Sequence, residues 1–254
     1  MEQDTFVRAG PDRPAVRYDG SRIAFRGPPR PLGGRHVVFL GGSATHGGPL
    51  EEPFPALIEA ELGEACVNFG IANASAEAFL LDPVVARACR EALVTVVEVM
   101  GAANLSNRLY TVHPRRNDRF LRASGALRAI YPDVDFAEIC FTRHLLMALH
   151  EADVERFDVV REELRIAWAA RMRALLERVG PRVVLLWPRG EGEGPLGADP
   201  VLVTEAMVEA LRPMVGAVVE VPAPGSDAGH RDVAAALADP IRACLAEEGL
   251  RASA

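Results

Sequence analysis

Five short, continuous apolar runs punctuate this chain, and the segments between them carry apolar residues at helical spacing. The first run, residues 36–40 (His-Val-Val-Phe-Leu), stops at Gly41-Gly42. Continuous runs, unlike alternating ones, suit strands covered on both faces, as in a parallel sheet. Residues 65–69 form a second run ending at Gly70, and residues 94–100 a third ending at Gly101. Residues 182–187 are a fourth and residues 217–221 a weaker fifth. Helices are expected over 54–62, 83–92, 159–179, 201–211 and 233–246, with Pro53 near the start of the first and Asp82 as the N-cap of the second. Strand and helix alternate, so the expected class is α/β with a parallel, doubly wound sheet and right-handed crossovers.

Two segments break the alternation. Residues 1–34 are rich in Gly, Pro and Arg and read as an N-terminal arm, with a short edge strand near 22–26, ahead of a main domain over 35–254. Residues 102–158 are too long for an ordinary strand-to-helix connection and read as a cap insertion, with helical pieces at 118–130 and 141–150. Four Gly in residues 190–197 mark a flexible loop. The composition fits a globular protein, 49% hydrophobic and 25% charged over 254 residues. A net charge of −7 argues against bulk attraction to nucleic acid or an anionic membrane. No run approaches a membrane span, no apolar leader is visible, and a cytoplasmic location is expected. All 28 basic residues are arginine, which excludes a Schiff-base or P-loop lysine. Cys66, Cys89, Cys140 and Cys244 never form CxxC and read as buried free thiols. No metal-ligand spacing is present, and the glycines of residues 41–48 lack dinucleotide-binding spacing, so neither metal nor cofactor is expected.

Ligands of open parallel sheets bind beyond the C-terminal strand ends. There the chain places Ser43 after the first strand, Gly70 after the second, Asn104 after the third, and Asp227-x-x-His230 before the last helix. This order resembles the SGNH (GDSL-type) hydrolases over roughly residues 36–248. The resemblance implies a three-layer α/β/α sandwich, flavodoxin-like, with a five-stranded parallel sheet. It implies a Ser43 nucleophile, a His230 base, an Asp227 orienting acid, and an oxyanion hole from Gly70 and Asn104. Gly42 stands where that family has Asp, Ala44 where it has Leu, and Ala103 where its third-strand motif has Asn. The last departure leaves open a one-residue shift to Asn104, substitution by Asn107, or a missing donor. The whole chain also resembles an uncharacterised bacterial family of unknown function that shares Asn-Leu-Ser-Asn-Arg (104–108) and His-Pro-Arg-Arg-Asn-Asp-Arg-Phe (113–120).

The chemistry is coherent without the name. A serine hydroxyl needs a base, the base needs a carboxylate to fix its tautomer, and only His230 among the six histidines has an acid three residues earlier. Ser43 also suits a plain helix N-cap, and Asp227 a cap for His230. Arg108, Arg115, Arg116 and Arg119 form a basic cluster in the insertion, with His46 and Asn107 as further pocket candidates. That cluster fits either an anion clamp or pairing with the acidic helices at 151–163. Glu98, in an apolar strand, is expected to have a structural Arg partner. The reading is thus an esterase acting on a small-molecule or carbohydrate ester. Its rivals are an inactive binding or accessory domain for an anionic or carbohydrate ligand, and an acyltransferase of polysaccharide modification.

Overall fold

The computed structural model describes residues 5–8, 14–114, 116–192 and 194–252. Strands β1 (Thr5–Arg8), β2 (Pro14–Arg17) and β3 (Phe25–Arg26) form a small antiparallel sheet. Next come β4 (His36–Gly41), α1 (Ser43–His46), α2 (Phe54–Leu62), β5 (Ala65–Gly70), α3 (Glu77–Leu80), α4 (Pro83–Glu91) and β6 (Val94–Glu98). The long insertion holds β7 (Tyr110–His113), β8 (Arg116–Ala123), α5 (Gly125–Ile130) and α6 (Thr142–Ala152). The chain then runs through α7 (Val154–Val179), β9 (Val183–Arg189), α8 (Glu205–Glu209), β10 (Ala217–Pro222) and α9 (Asp227–Ala252).

The main sheet has the order β10-β9-β6-β4-β5, and every neighbouring pair is parallel. Counted along these five strands the order is 2-1-3-4-5, the flavodoxin-like winding, which reverses direction between β4 and β6. The unbroken apolar runs explain it. In β4, Val38 and Leu40 enter one core, and Val37 and Phe39 enter the other. The first core is completed from α4 and α7 by Val85, Leu164, Trp168 and Met172. The second is completed from α2 and α9 by Ile58, Val233, Leu237 and Ile241. Each fully buried large apolar side chain contributes about 1.5–3 kcal/mol. The α/β class and the five-stranded parallel sheet flanked by helices are therefore as expected.

Three local expectations change. Residues 116–123 are strand β8, paired with β7, not helix. Asn117, Phe120 and Ala123 are its buried positions. The pairing shifts register at Thr111–Val112 and Val112–His113. Such irregularities re-aim side chains, and the inward positions fall three apart, which imitates a helical period. Residues 201–203 are not helical either. Leu202 takes φ +63, and α8 starts after Thr204, whose side chain accepts from Met207 N. Finally, Cys66 and Cys89 are buried and Cys244 is half-buried, but Cys140 is exposed ahead of α6. Among the described residues no helix is long and apolar enough to cross a membrane.

Close to the site, the N-terminal segment packs on β5 through Phe25, whose ring lies 4.4 Å from that of Phe69. Buried Arg26 donates to the carbonyls of His46 (2.6 Å) and Gly48 (3.0 Å), fixing the loop after α1. Trp168 Nε1 donates to Met100 O at 2.6 Å, and Tyr110 Oη to Ala103 O at 2.6 Å. These bonds hold the exit from β6.

Candidate active site

The winding reverses between β4 and β6, and both strands end in a cavity of about 320 Å³. Its lining includes Gly42, Ser43, Asn73, Glu98, Asn104 and Pro224. Ser43 is the first residue of α1, immediately past the end of β4, and is exposed. Its Oγ accepts a hydrogen bond from Asn73 N at 3.0 Å and donates to Asn73 Oδ1 at 3.4 Å. Asn73 sits at φ +56, a left-handed conformation that asparagine tolerates better than most residues. That conformation is held from three sides. Asn104 Nδ2 donates to Asn73 O (2.9 Å), Asn73 Nδ2 donates to Asp118 Oδ2 (3.1 Å), and Asn117 Nδ2 donates to Ala72 O (3.2 Å). Asn104 is fixed in turn by Thr142 Oγ1, which donates to its Oδ1 at 2.5 Å.

Beneath Ser43 lies Glu98, at the end of β6 and 6% exposed. Its carboxylate accepts from Gly42 N (2.9 Å), Thr45 N (2.9 Å) and Thr45 Oγ1 (2.6 Å). Among the described residues the expected arginine partner is absent: backbone and hydroxyl donors of the serine turn take its place. Burial pushes the Glu98 carboxyl above the usual carboxylate range, against the pull of those donors. Gly41 must be glycine, because a Cβ there would collide with Glu98 and Thr45.

The remaining sequence candidates divide. Gly70 does not present its N–H to Ser43; that group donates to Asn68 Oδ1 at 2.8 Å. Gly70 instead permits close packing, since a Cβ would strike the backbone of Thr45 and His46. Asn104 lines the cavity, but its amide is spent on Asn73 and Thr142. His230 is 2% exposed, stacked on Phe54 with ring centroids 5.7 Å apart, and its Nδ1 accepts from Phe54 N at 3.0 Å. That bond places the ring proton on Nε2. Burial and the nearby Arg26 hold the imidazole below its ordinary pKa, while Asp227 pulls the other way. Asp227 is exposed in the first turn of α9. Neither Asp227 nor His230 lines the Ser43 cavity, and no hydrogen bond joins Ser43, His230 and Asp227 in this arrangement.

Two substrate candidates leave the site. Asn107 serves its own turn, accepting from Leu109 N (2.8 Å) and Tyr110 N (3.1 Å). Arg108 pairs with buried Glu163 of α7, as the structural alternative had it. Arg115 lies outside the described residues. His46, Arg116 and Arg119 line a separate cavity of about 450 Å³. Sequence reasoning missed Asn73. The available signal was an asparagine, tolerant of positive φ, three residues after a strand-ending glycine.

Fold and pocket thus define a doubly wound α/β protein with a serine displayed at its switch point. The chain belongs to the family described as domain of unknown function (DUF6473), whose model matches residues 1–254. No curated protein matches the sequence. Among solved structures, the chain is similar to a carbohydrate esterase family 2 enzyme with a carbohydrate-binding domain from Corynascus thermopiles (Myceliophthora fergusii). Identity is 14%, with 88% of this chain and 70% of that one covered and a TM-score of 0.41. It is also similar to a catalytic mutant of Axe2, an acetylxylan esterase from Geobacillus stearothermophilus, at 14% identity. There 82% of this chain and 94% of that one are covered, with a TM-score of 0.42. The fold itself is defined by the strand order of this chain.

Proposed function

We propose that the protein is a serine hydrolase of SGNH type that cleaves an ester of a small molecule or carbohydrate. The carrying observation is the Ser43 hydroxyl, exposed at the switch-point cavity with the Asn73 N–H 3.0 Å from its oxygen. Ser43 Oγ attacks the ester carbonyl and its proton passes to His230. The resulting oxyanion takes hydrogen bonds from the backbone N–H groups of Ser43 and Asn73, the latter released from Ser43 Oγ as the C–O bond forms. The imidazolium returns its proton to the leaving alcohol, and water then releases the acyl group. A second hydroxyl in place of water turns the same cycle into acyl transfer.

This reading requires a rearrangement. A base must accept at Nε2, yet the bond from Phe54 N leaves the proton there. His230 must give up Phe54 N–H and place a proton on Nδ1, where Asp227 in the same helical turn stabilises it. The position of His230 also favours a second reading, a domain that binds its ligand at Ser43 without turning it over.

Labelling with a fluorophosphonate probe separates the two. Wild-type labelling that is abolished in both Ser43→Ala and His230→Ala supports the hydrolase. A folded wild type that is not labelled overturns it. Labelling that survives His230→Ala removes His230 from the reaction.

A further inference from the structure

The groove does not end at Ser43. A third cavity of about 440 Å³ shares Asn73 and Asn104 with the serine pocket, and meets the Arg116–Arg119 cavity at Asp118 and Phe141. Three arginines line this groove: Arg116 and Arg119 from β8, and Arg143 from the first turn of α6. Arg108, eight residues before Arg116, is neutralised by Glu163. Among the described residues, Arg116, Arg119 and Arg143 have no carboxylate partner. Two acids share the groove: Asp118 lines the Arg116–Arg119 cavity and accepts from Asn73, one carboxylate against two guanidinium groups, and Asp199 lines the serine pocket and the middle cavity with Arg143.

The shape of the arginine end is also specific. Phe141 is 47% exposed and lies under the Arg119 guanidinium, 4.9 Å from ring centroid to Cζ. Stacking on an aromatic face holds a guanidinium flat while its edge N–H donors stay open. Arg116, three residues earlier, reaches the same cavity because the β7–β8 register shift breaks strict alternation. Two planar cations lining one cavity match a tetrahedral or planar oxyanion accepting several charge-assisted bonds.

We propose that this cavity binds an anionic group, a phosphate or a carboxylate, carried by the ester substrate on the part remote from the carbonyl. The ester end lies at Ser43, and the body of the molecule crosses the Asn73–Asn104 stretch. The inference rests on the hydrolase reading only for what happens at Ser43; the anion site itself is independent of turnover.

Two measurements separate those parts. Calorimetric titration of the intact protein with phenyl phosphate and with benzoate reads the site directly. Binding of either should weaken about tenfold or more in the Arg116→Gln/Arg119→Gln double variant, given charge-assisted bonds from two guanidiniums. The stronger of the two ligands identifies the anion. Circular dichroism confirms that the variant is folded, and Ser43→Ala should bind like wild type. In parallel, kcat/KM is compared for 4-acetoxyphenyl phosphate, 4-acetoxybenzoate and neutral phenyl acetate. Wild type should prefer a charged ester about tenfold, and the double variant should lose that ratio. Binding without hydrolysis of any ester upholds the anion site and counts against the hydrolase. Hydrolysis with no charge preference and no binding of either anion at about 10 mM, a millimolar ceiling for even weak association, overturns the site and leaves the hydrolase standing.

Discussion

Replacing Glu98 tests the most constrained element of the site. Three donors converge on this buried carboxylate: Gly42 N–H, Thr45 N–H and the Thr45 hydroxyl. Removing the acceptor in Glu98→Ala orphans all three. Each orphaned donor costs about 1–3 kcal/mol, but the variant also escapes the desolvation of a buried carboxylate. The net expectation is a loss of about 3–5 kcal/mol, set by the three donors less that relief. Glu98→Gln keeps a carbonyl acceptor of the same shape but puts an amide NH2 where the second carboxyl oxygen stood, so about 1–2 kcal/mol is expected.

The pH dependence adds a sign. The folded-state pKa of Glu98 is raised by burial above its unfolded value. The folded protein therefore holds this proton to higher pH than the unfolded chain, and stability falls as pH rises through that interval. Glutamine does not titrate, so the advantage of wild type over Glu98→Gln should be full below the free carboxyl's pKa of about 4.3 and shrink as pH rises above it. Urea unfolding at several pH values measures both quantities. A Glu98→Ala stability within about 1 kcal/mol of wild type, or a wild-type advantage over glutamine that grows with pH, would refute this role for Glu98.

Three further outcomes are expected. Asn73→Ala must place a Cβ-bearing, non-amide residue at φ +56 and should lose about 1 kcal/mol with slowed fluorophosphonate labelling, whereas Asn73→Gly keeps the N–H and the labelling. Labelling equal in both variants would detach the Asn73 backbone from the reaction. Gly70→Ala drives a Cβ into the Thr45–His46 backbone and should cost about 1–3 kcal/mol, seen as a lowered thermal midpoint. An unchanged midpoint would show that α1 moves freely. The folded-state pKa of His230 is depressed below its unfolded value, so its contribution is present at neutral pH and is lost as pH falls below about 6.5. His230→Asn should flatten the slope of unfolding free energy between pH 5 and 7 by up to about 1.4 kcal/mol per pH unit, and an identical slope would refute the assignment.

The frame was legible because burial on both faces of a parallel strand leaves its mark in consecutive residues. Residues 36–40 read as β4 and 65–69 as β5, and Phe54–Leu62 is helix with the predicted bounds. Asp82 caps α4, accepting from Val84 N and Val85 N as its position before Pro83 implied. What failed depended on pairing between distant segments. A register shift in the β7–β8 hairpin gave β8 a false helical period, and no local pattern encodes such a shift. Glu98 looked as though it needed a cation because a strand residue does not reveal that a neighbouring turn will present backbone donors to it.

The same distinction explains the site. Sequence order put Ser43 after β4 and Asn104 after β6, and both line the cavity. It could not say which polar atoms each would satisfy. Gly70 N–H goes to Asn68, two residues before it, because an asparagine at a strand exit can fold its side chain back onto a nearby amide. Asn73, one residue past Ala72, then takes the place beside Ser43 that Gly70 was expected to hold. Its left-handed backbone needs external support, and Asn104, Asn117 and Asp118 supply it from two separate elements. These amides are therefore better understood as a frame for one backbone N–H than as independent oxyanion donors. Asn104 acts on Ser43 through Asn73, so Asn104→Ala should impair labelling in proportion to the displacement of Asn73. If Asn104→Ala still impaired labelling as strongly in an Asn73→Gly background, where glycine adopts positive φ unaided, Asn104 would have to touch the reacting atoms directly.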